Sequence, residues 1–163
     1  MKSPICALLG IDFPLLAFSH CRDVVAAVSN AGGFGVLGAS SHTPEQLELE
    51  LRWIDEHVGG RPYGVDILVP EHMEGRDEPV DSDALRHRVP QAHRDFVRDL
   101  MARHGLPFDF EDPATAARRV NVLPETTDRL MDVAFAHPIR LIANALGVPP
   151  RAMLERGRRQ GVP

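Results

Sequence analysis

Three places in this 163-residue chain carry side chains that could do chemistry. His20 follows a continuous apolar run at 14–18. An imidazole at a strand end, with an unperturbed pKa of about 6.5, can move a proton near neutrality; the same residue can equally serve as a packing or loop histidine. Cys21 beside it would be reactive only with a depressed pKa, and a small buried side chain is the plainer expectation. Asp66 interrupts the apolar run Y-G-V-D-I-L-V at 63–69. A carboxylate there is costly unless paired or hydrogen-bonded, so it is read either as a ligand contact or as half of an ion pair with an arginine. Gly38 and Ala39 close the run A-A-V-S-N-A-G-G-F-G-V-L-G-A at 26–39. Such small residues let a flat ligand approach the backbone, or let a helix pack tightly on a strand.

The elements that must position these residues can be read from periodicity. The run at 14–18 suits a strand buried on both faces, as in a parallel sheet. Residues 23–30 read as a short amphipathic helix, with Asp23 suited to the positive end of its dipole. Gly32 and Gly33 end it, and 34–37 is a second buried strand. Thr43-Pro44 is a helix start, with Gln46 placed to complete a capping box. Leu47, Leu51, Ile54 and Val58 then share one helical face. Gly59-Gly60 ends this helix, and 63–69 is a third strand. The order strand–helix–strand–helix–strand predicts right-handed crossovers and a parallel sheet.

Residues 71–123 are charged, carry several prolines and hold no strand candidate. They read as an insertion after the third strand, since plain strand–helix loops run to roughly 2–6 residues; such insertions often sit over an active site. Within it, 95–104 is expected to be helical with Phe96, Leu100 and Met101 inward, and 113–120 is a second short helix. Regularity returns with a helix at 125–137, its Leu130, Val133 and Ala134 inward and Pro138 as its stop. A fourth strand is expected at 139–146, then a helix from Pro149-Pro150 through Arg159. Gly161-Val162-Pro163 reads as a loop leading into a further strand.

Composition narrows the function classes. A net charge of −5 argues against a nucleic-acid partner, and the arginines at 118–119 and 156–159 read as solvated helix faces. Two cysteines make no disulfide framework or C-x-x-C pair, which favours cytosolic thiols. With no signal peptide and no apolar stretch near the roughly 18 residues of a membrane span, a cytoplasmic protein is expected. The remaining histidines, 42, 57, 72, 87, 93, 104 and 137, are scattered without ligand spacing, so no metal is expected. There is no Walker loop and no G-x-S-x-G elbow. Gly32, Gly33 and Gly35 precede or sit within a strand and are read as packing glycines rather than a dinucleotide fingerprint.

Taken together, C-x-L-L-G-I-D-F-P at 6–14, the glycine run at 26–39 and Y-G-V-D-I-L-V-P at 63–70 resemble the nitronate monooxygenase family, formerly 2-nitropropane dioxygenases. L-I-A-N-A-L-G-V-P-P at 141–150 resembles its fourth-strand region. The resemblance implies an FMN-dependent (β/α)8 TIM barrel of over 300 residues. The chain, 1–163, would be its N-terminal half, with parallel strands one to four and a helical insertion at 71–123. It implies a nitronate or related carbanion as small-molecule substrate, O2 as co-substrate, and a carbonyl compound and nitrite as products. By position it carries flavin contacts onto Ala17, Phe18 and Ser19 after the first strand, Gly38 and Ala39 after the second, Asp66 in the third and Asn144 in the fourth. The family usually has asparagine where Asp66 stands, and many members carry a histidine where this chain has Ala145. The family's phosphate-gripping loops and catalytic histidine lie on later strands, which favours the packing or loop reading of His20 over the acid–base one. Two other readings accompany this one. One is an FMN-dependent reductase with a nicotinamide donor, of the enoyl-ACP reductase type, which shares the glycine run. The other is a truncated, non-catalytic fragment, whose open strand edges invite self-association.

Overall fold

The computed structural model describes residues 3–69, 88–107 and 124–163. The described elements run α1 (Pro4–Leu9), β1 (Leu16–Ser19), α2 (Arg22–Asn30), β2 (Phe34–Gly38), α3 (Pro44–His57), β3 (Tyr63–Asp66), α4 (Gln91–Arg103), α5 (Pro124–Ala134), β4 (Ile142–Ala143) and α6 (Arg151–Gln160). The chain divides into two compact units, and α4 belongs to the second, His72–Arg119.

In the first unit the four strands form one parallel sheet in the order β1-β2-β3-β4. Each strand lies beside its predecessor, with no reversal of order. That steady progression is the winding of a barrel, whereas a doubly wound sheet reverses at a switch point. The fold is a partial (β/α)8 TIM barrel.

Alternation along the strands separates two faces. Leu37, Ala39, Tyr63, Val65 and Ile67 face the helices. There they join Leu47, Leu51, Ile54 and Val58 of α3 and its end, Leu130 and Ala134 of α5, and Met153 of α6. Each fully buried leucine or isoleucine in this layer contributes about 1.5–3 kcal/mol of transfer free energy. Thr43 caps α3 as its sequence implies: its Oγ1 accepts from the Gln46 N–H at 3.2 Å, and the Gln46 side chain accepts from the Thr43 N–H at 2.9 Å. Gly35 is a packing glycine, as expected. A Cβ there would collide with the Val25 backbone of α2.

The opposite face holds Phe34 and Val36, which pack with Cys6, Leu9 and Ile11. Helix α1 therefore seals the N-terminal end of this inner face. Its signals are local: Ser3 as N-cap, Pro4 at the first position and Gly10 in the left-handed conformation at φ 71°. Periodicity does not signal this helix, which spans six residues.

Several expectations need correction. The run at 14–18 is not buried on both faces; Leu15 and Leu16 are exposed, and Phe18 is 56% exposed. Strand β1 is an edge of the four-stranded sheet, and its inner-facing Leu16 and Phe18 stay exposed. Strands β3 and β4 are shorter than the apolar runs that announced them, because ladder pairing extends only over Val65–Ile142 and Asp66–Ala143. Pro163 O accepts from Ile142 N–H at 3.0 Å along the free side of β4. Within α4, Phe96 is 61% exposed instead of inward. The half-buried stripe is Val97, Leu100 and Met101, and Phe96 sits one residue, or about 100°, away from it. Cys21 is exposed, not buried, and Cys6 is the buried thiol; neither forms a disulfide. Arg156 is more than a solvated charge. It pairs with Asp132 of α5 at 2.5 Å and lies 4.8 Å from the Phe135 ring. The expected helix at 113–120 falls outside the described residues.

Candidate functional site

Register decides which expected site residues meet. Phe18 pairs with Val36, and Gly38 pairs with Asp66. Lateral partners in a parallel sheet share a face, so Phe18, Gly38 and Asp66 stand together on the inner face at the C-terminal strand ends. Ala17 pairs with Gly35 and Ser19 with Leu37, which turns both side chains toward the helices. Ser19 Oγ accepts from the Cys21 N–H at 3.0 Å and shapes the turn. Ala39 is fully buried in the helix-side core. These three residues can offer a ligand main-chain atoms only.

Gly38 needs its lack of a side chain for a reason that neither sequence reading named. A Cβ there would lie 2.6 Å from Phe18 Cζ and 2.7 Å from His20 Cε1. The space belongs to two rings of this chain. They pack edge to face, with centroids 5.0 Å apart and planes at 82°, an arrangement their quadrupoles favour. His20 Nδ1 lies 3.1 Å from Gly38 O. A carbonyl only accepts, so Nδ1 carries the proton and Nε2 is left open. His20 is thus an oriented imidazole at the mouth of the inner face.

Asp66 is 5% exposed. Burial pushes its carboxyl above the usual carboxylate range, and the Ala145 backbone N–H and the charge of His20 oppose that shift. Its Oδ1 has no hydrogen-bond partner among the described residues, and no arginine there pairs with it. Ala145 contributes through its main chain, a role no side-chain motif signals.

Asn144 holds the far side. Its Oδ1 accepts from Val69 N–H at 2.9 Å, and its Nδ2 donates to Val69 O at 3.0 Å. Both amide ends are committed to backbone, so Asn144 works as a clamp that carries the sheet beyond the short β4 ladder.

The residues present fit the edge of a flat conjugated ring. Phe18 offers apolar surface, Asp66 a buried polar atom in need of a partner, and His20 an open nitrogen. No group of three or more His, Cys, Asp or Glu side chains among the described residues could hold a metal. No described helix is long and apolar enough to cross a membrane.

A cavity of about 430 Å³ lies at the opposite, N-terminal strand ends, where Leu9, Tyr63 and Arg140 help line it. In barrels that end serves stability, and chemistry is built at the C-terminal end. The Phe18–Asp66 face is accordingly the candidate site.

The chain resembles known proteins in sequence and fold. The chain is 50% identical over 164 aligned positions to a protein of Mycobacterium tuberculosis that carries a provisional monooxygenase name; the match covers 99% of this chain and 44% of that protein. It is 28% identical over 127 positions to a Staphylococcus saprophyticus protein named "Probable nitronate monooxygenase", covering 66% of this chain and 35% of the relative. The chain thus spans less than half the length of these relatives. Its fold matches nitroalkane oxidase from Streptomyces ansochromogenes with a TM-score of 0.62 at 20% identity, over 98% of this chain and 41% of that one. A family model described as nitronate monooxygenase matches residues 3–161, and this chain belongs to the nitronate monooxygenase family.

Proposed function

We propose that this chain provides the first four strands of an FMN-dependent oxidoreductase that oxidises alkyl nitronates with O2 to a carbonyl compound and nitrite. The observation that carries this reading is the inner-face cluster of Phe18, Gly38, Asp66 and His20 at the C-terminal strand ends, in a chain matched by the family model over 3–161. When bound, FMN supplies the electron-accepting chemistry and O2 serves as the terminal acceptor. The chain's own residues orient and shield. Phe18 gives the ring an apolar wall, and Asp66 meets a polar atom at its edge. His20, held by Gly38 O, faces the substrate side as the acid–base candidate. Ala17, Ser19 and Ala39 line the site through their backbone, and Asn144 keeps the strand-four side in place. The 71–123 segment is proposed as an insertion within the barrel domain, and self-association of this half as a partner mode.

The test is a titration of the 163-residue chain with FMN, read by quenching of flavin fluorescence, with light scattering on the same samples. Saturable binding at one FMN per defined assembly, followed by nitronate-dependent O2 consumption, would support this reading for the chain by itself. Binding followed by steady NADPH oxidation without response to nitronate would favour a reductase. Absence of any FMN binding would remove the cofactor assignment from this chain.

A further inference from the structure

Sequence reading makes Asp66 an acceptor, either toward a ligand's N–H and O–H groups or toward an arginine. Its surroundings argue otherwise. The residue is 5% exposed, its buried Oδ1 lacks any partner among the described residues, and no arginine or lysine there pairs with it. Burying a carboxylate under those conditions costs several kcal/mol, and binding a proton removes the cost.

The groups packed around it leave few other ways to satisfy it. From β2 come Gly38 and the Ala39 N–H, and that N–H is already donated to the Asp66 main-chain carbonyl at 2.9 Å. From the end of β4 comes the Ala145 N–H. From the end of β1 comes His20, the one titratable side chain whose charge reaches it among the described residues. His20 already donates through Nδ1 to Gly38 O at 3.1 Å.

We infer that Asp66 stands in the folded chain as a neutral carboxylic acid whose proton is offered to the inner face, so that it donates a hydrogen bond to an acceptor atom of the bound ligand. The inner face then presents the Asp66 O–H as a donor, with the His20 ring, held by Gly38 O, beside it. A planar ligand carrying a carbonyl oxygen or imine nitrogen would be recognised by that donor. The inference deepens the flavin reading and relies on it only for the ligand's identity.

The proton can be observed without any ligand. Infrared spectra of the full 163-residue chain, with aspartate carboxyls isotope-labelled, should show a protonated-carboxyl stretch at neutral pH. The band should be absent from Asp66→Asn and should titrate at higher pH in His20→Gln, which lacks the opposing cation. Asp66→Asn places an uncharged amide in an equally buried position, so folding of the control is expected and is checked by circular dichroism. A wild-type spectrum with every aspartate ionised at neutral pH would overturn the inference.

The ligand arm uses FMN as probe. Affinity of the wild type should fall by about tenfold per pH unit once the carboxyl ionises, the slope of one linked proton. Asp66→Asn, a donor that does not titrate, should retain binding and lose that dependence. Wild-type binding that strengthens as the carboxyl ionises would overturn the donor role. A chain that binds no FMN at any pH counts against the proposed cofactor, while the infrared result still decides the protonation state.

Discussion

His137 Nδ1 lies 2.6 Å from Asp55 Oδ2, joining the loop after α5 to the last turn of α3. The second ring nitrogen lies 3.1 Å from Glu48 Oε2. Each ring nitrogen thus faces a carboxylate of α3, a group that only accepts. The other Asp55 oxygen accepts from Tyr63 O–H at 2.6 Å, and burial raises that phenol well above its ordinary value. The network ties α3, α5 and the start of β3 together at the stability end of the barrel.

Replacing His137 with alanine is expected to lower stability by about 2 kcal/mol. Loss of a buried partner costs roughly 3–5 kcal/mol. That range is discounted here because the Asp55 and Glu48 side chains keep 28% and 39% exposure while His137 keeps 9%. Urea denaturation measures the change. Unaltered stability would mean that the network holds nothing together.

The two strand glycines should differ in their response to alanine. At Gly35 the new methyl meets the Val25 backbone, which cannot move without shifting α2, and overpacking of this kind costs about 1–3 kcal/mol. At Gly38 it meets side chains, Phe18 and His20. These can swing away, so Gly38→Ala should cost less stability and should disturb the inner face instead. Thermal melts of both variants and the His20 ring signals by NMR separate the cases.

Thr43→Ala removes the side-chain half of the capping box and should cost about 1 kcal/mol. Thr43→Ser retains the acceptor and should restore most of it. A melting temperature unchanged by the alanine would show that α3 is held by its buried face alone.

Asp66 gives the stability profile a definite sign. Its folded-state carboxyl is raised above the ordinary value, so the folded chain binds the proton more tightly than the unfolded one. The resulting stability is fully present below the ordinary carboxylate range and is lost as pH rises through the raised value. Asp66→Asn should flatten that decline and be more stable near neutrality by about 1–3 kcal/mol, the cost of a buried group left unsatisfied. Urea midpoints across acid to neutral pH provide the comparison.

Much of this architecture is local and therefore legible in sequence. The Thr43-Pro44-Gln46 cap, the stripe Leu47, Leu51, Ile54 and Val58, and the three apolar runs depend on neighbours within a few positions. They announced a parallel βα succession before any contact was known. Asp66 was singled out for the same reason, since one charge in an apolar run needs no partner to be conspicuous.

Tertiary structure alone decided which face each residue takes and what meets there. A one-residue change of register would have sent Asp66 to the helices and Ala17 to the inner face, and no pattern within β1 or β3 sets that register. Contacts such as His137 to Glu48, 89 positions apart, or the Gly38 backbone beneath His20, depend on how the strands are placed beside one another. A carboxyl's chemistry follows from its type. Whether it accepts or donates follows from the burial and partners that only the folded sheet imposes.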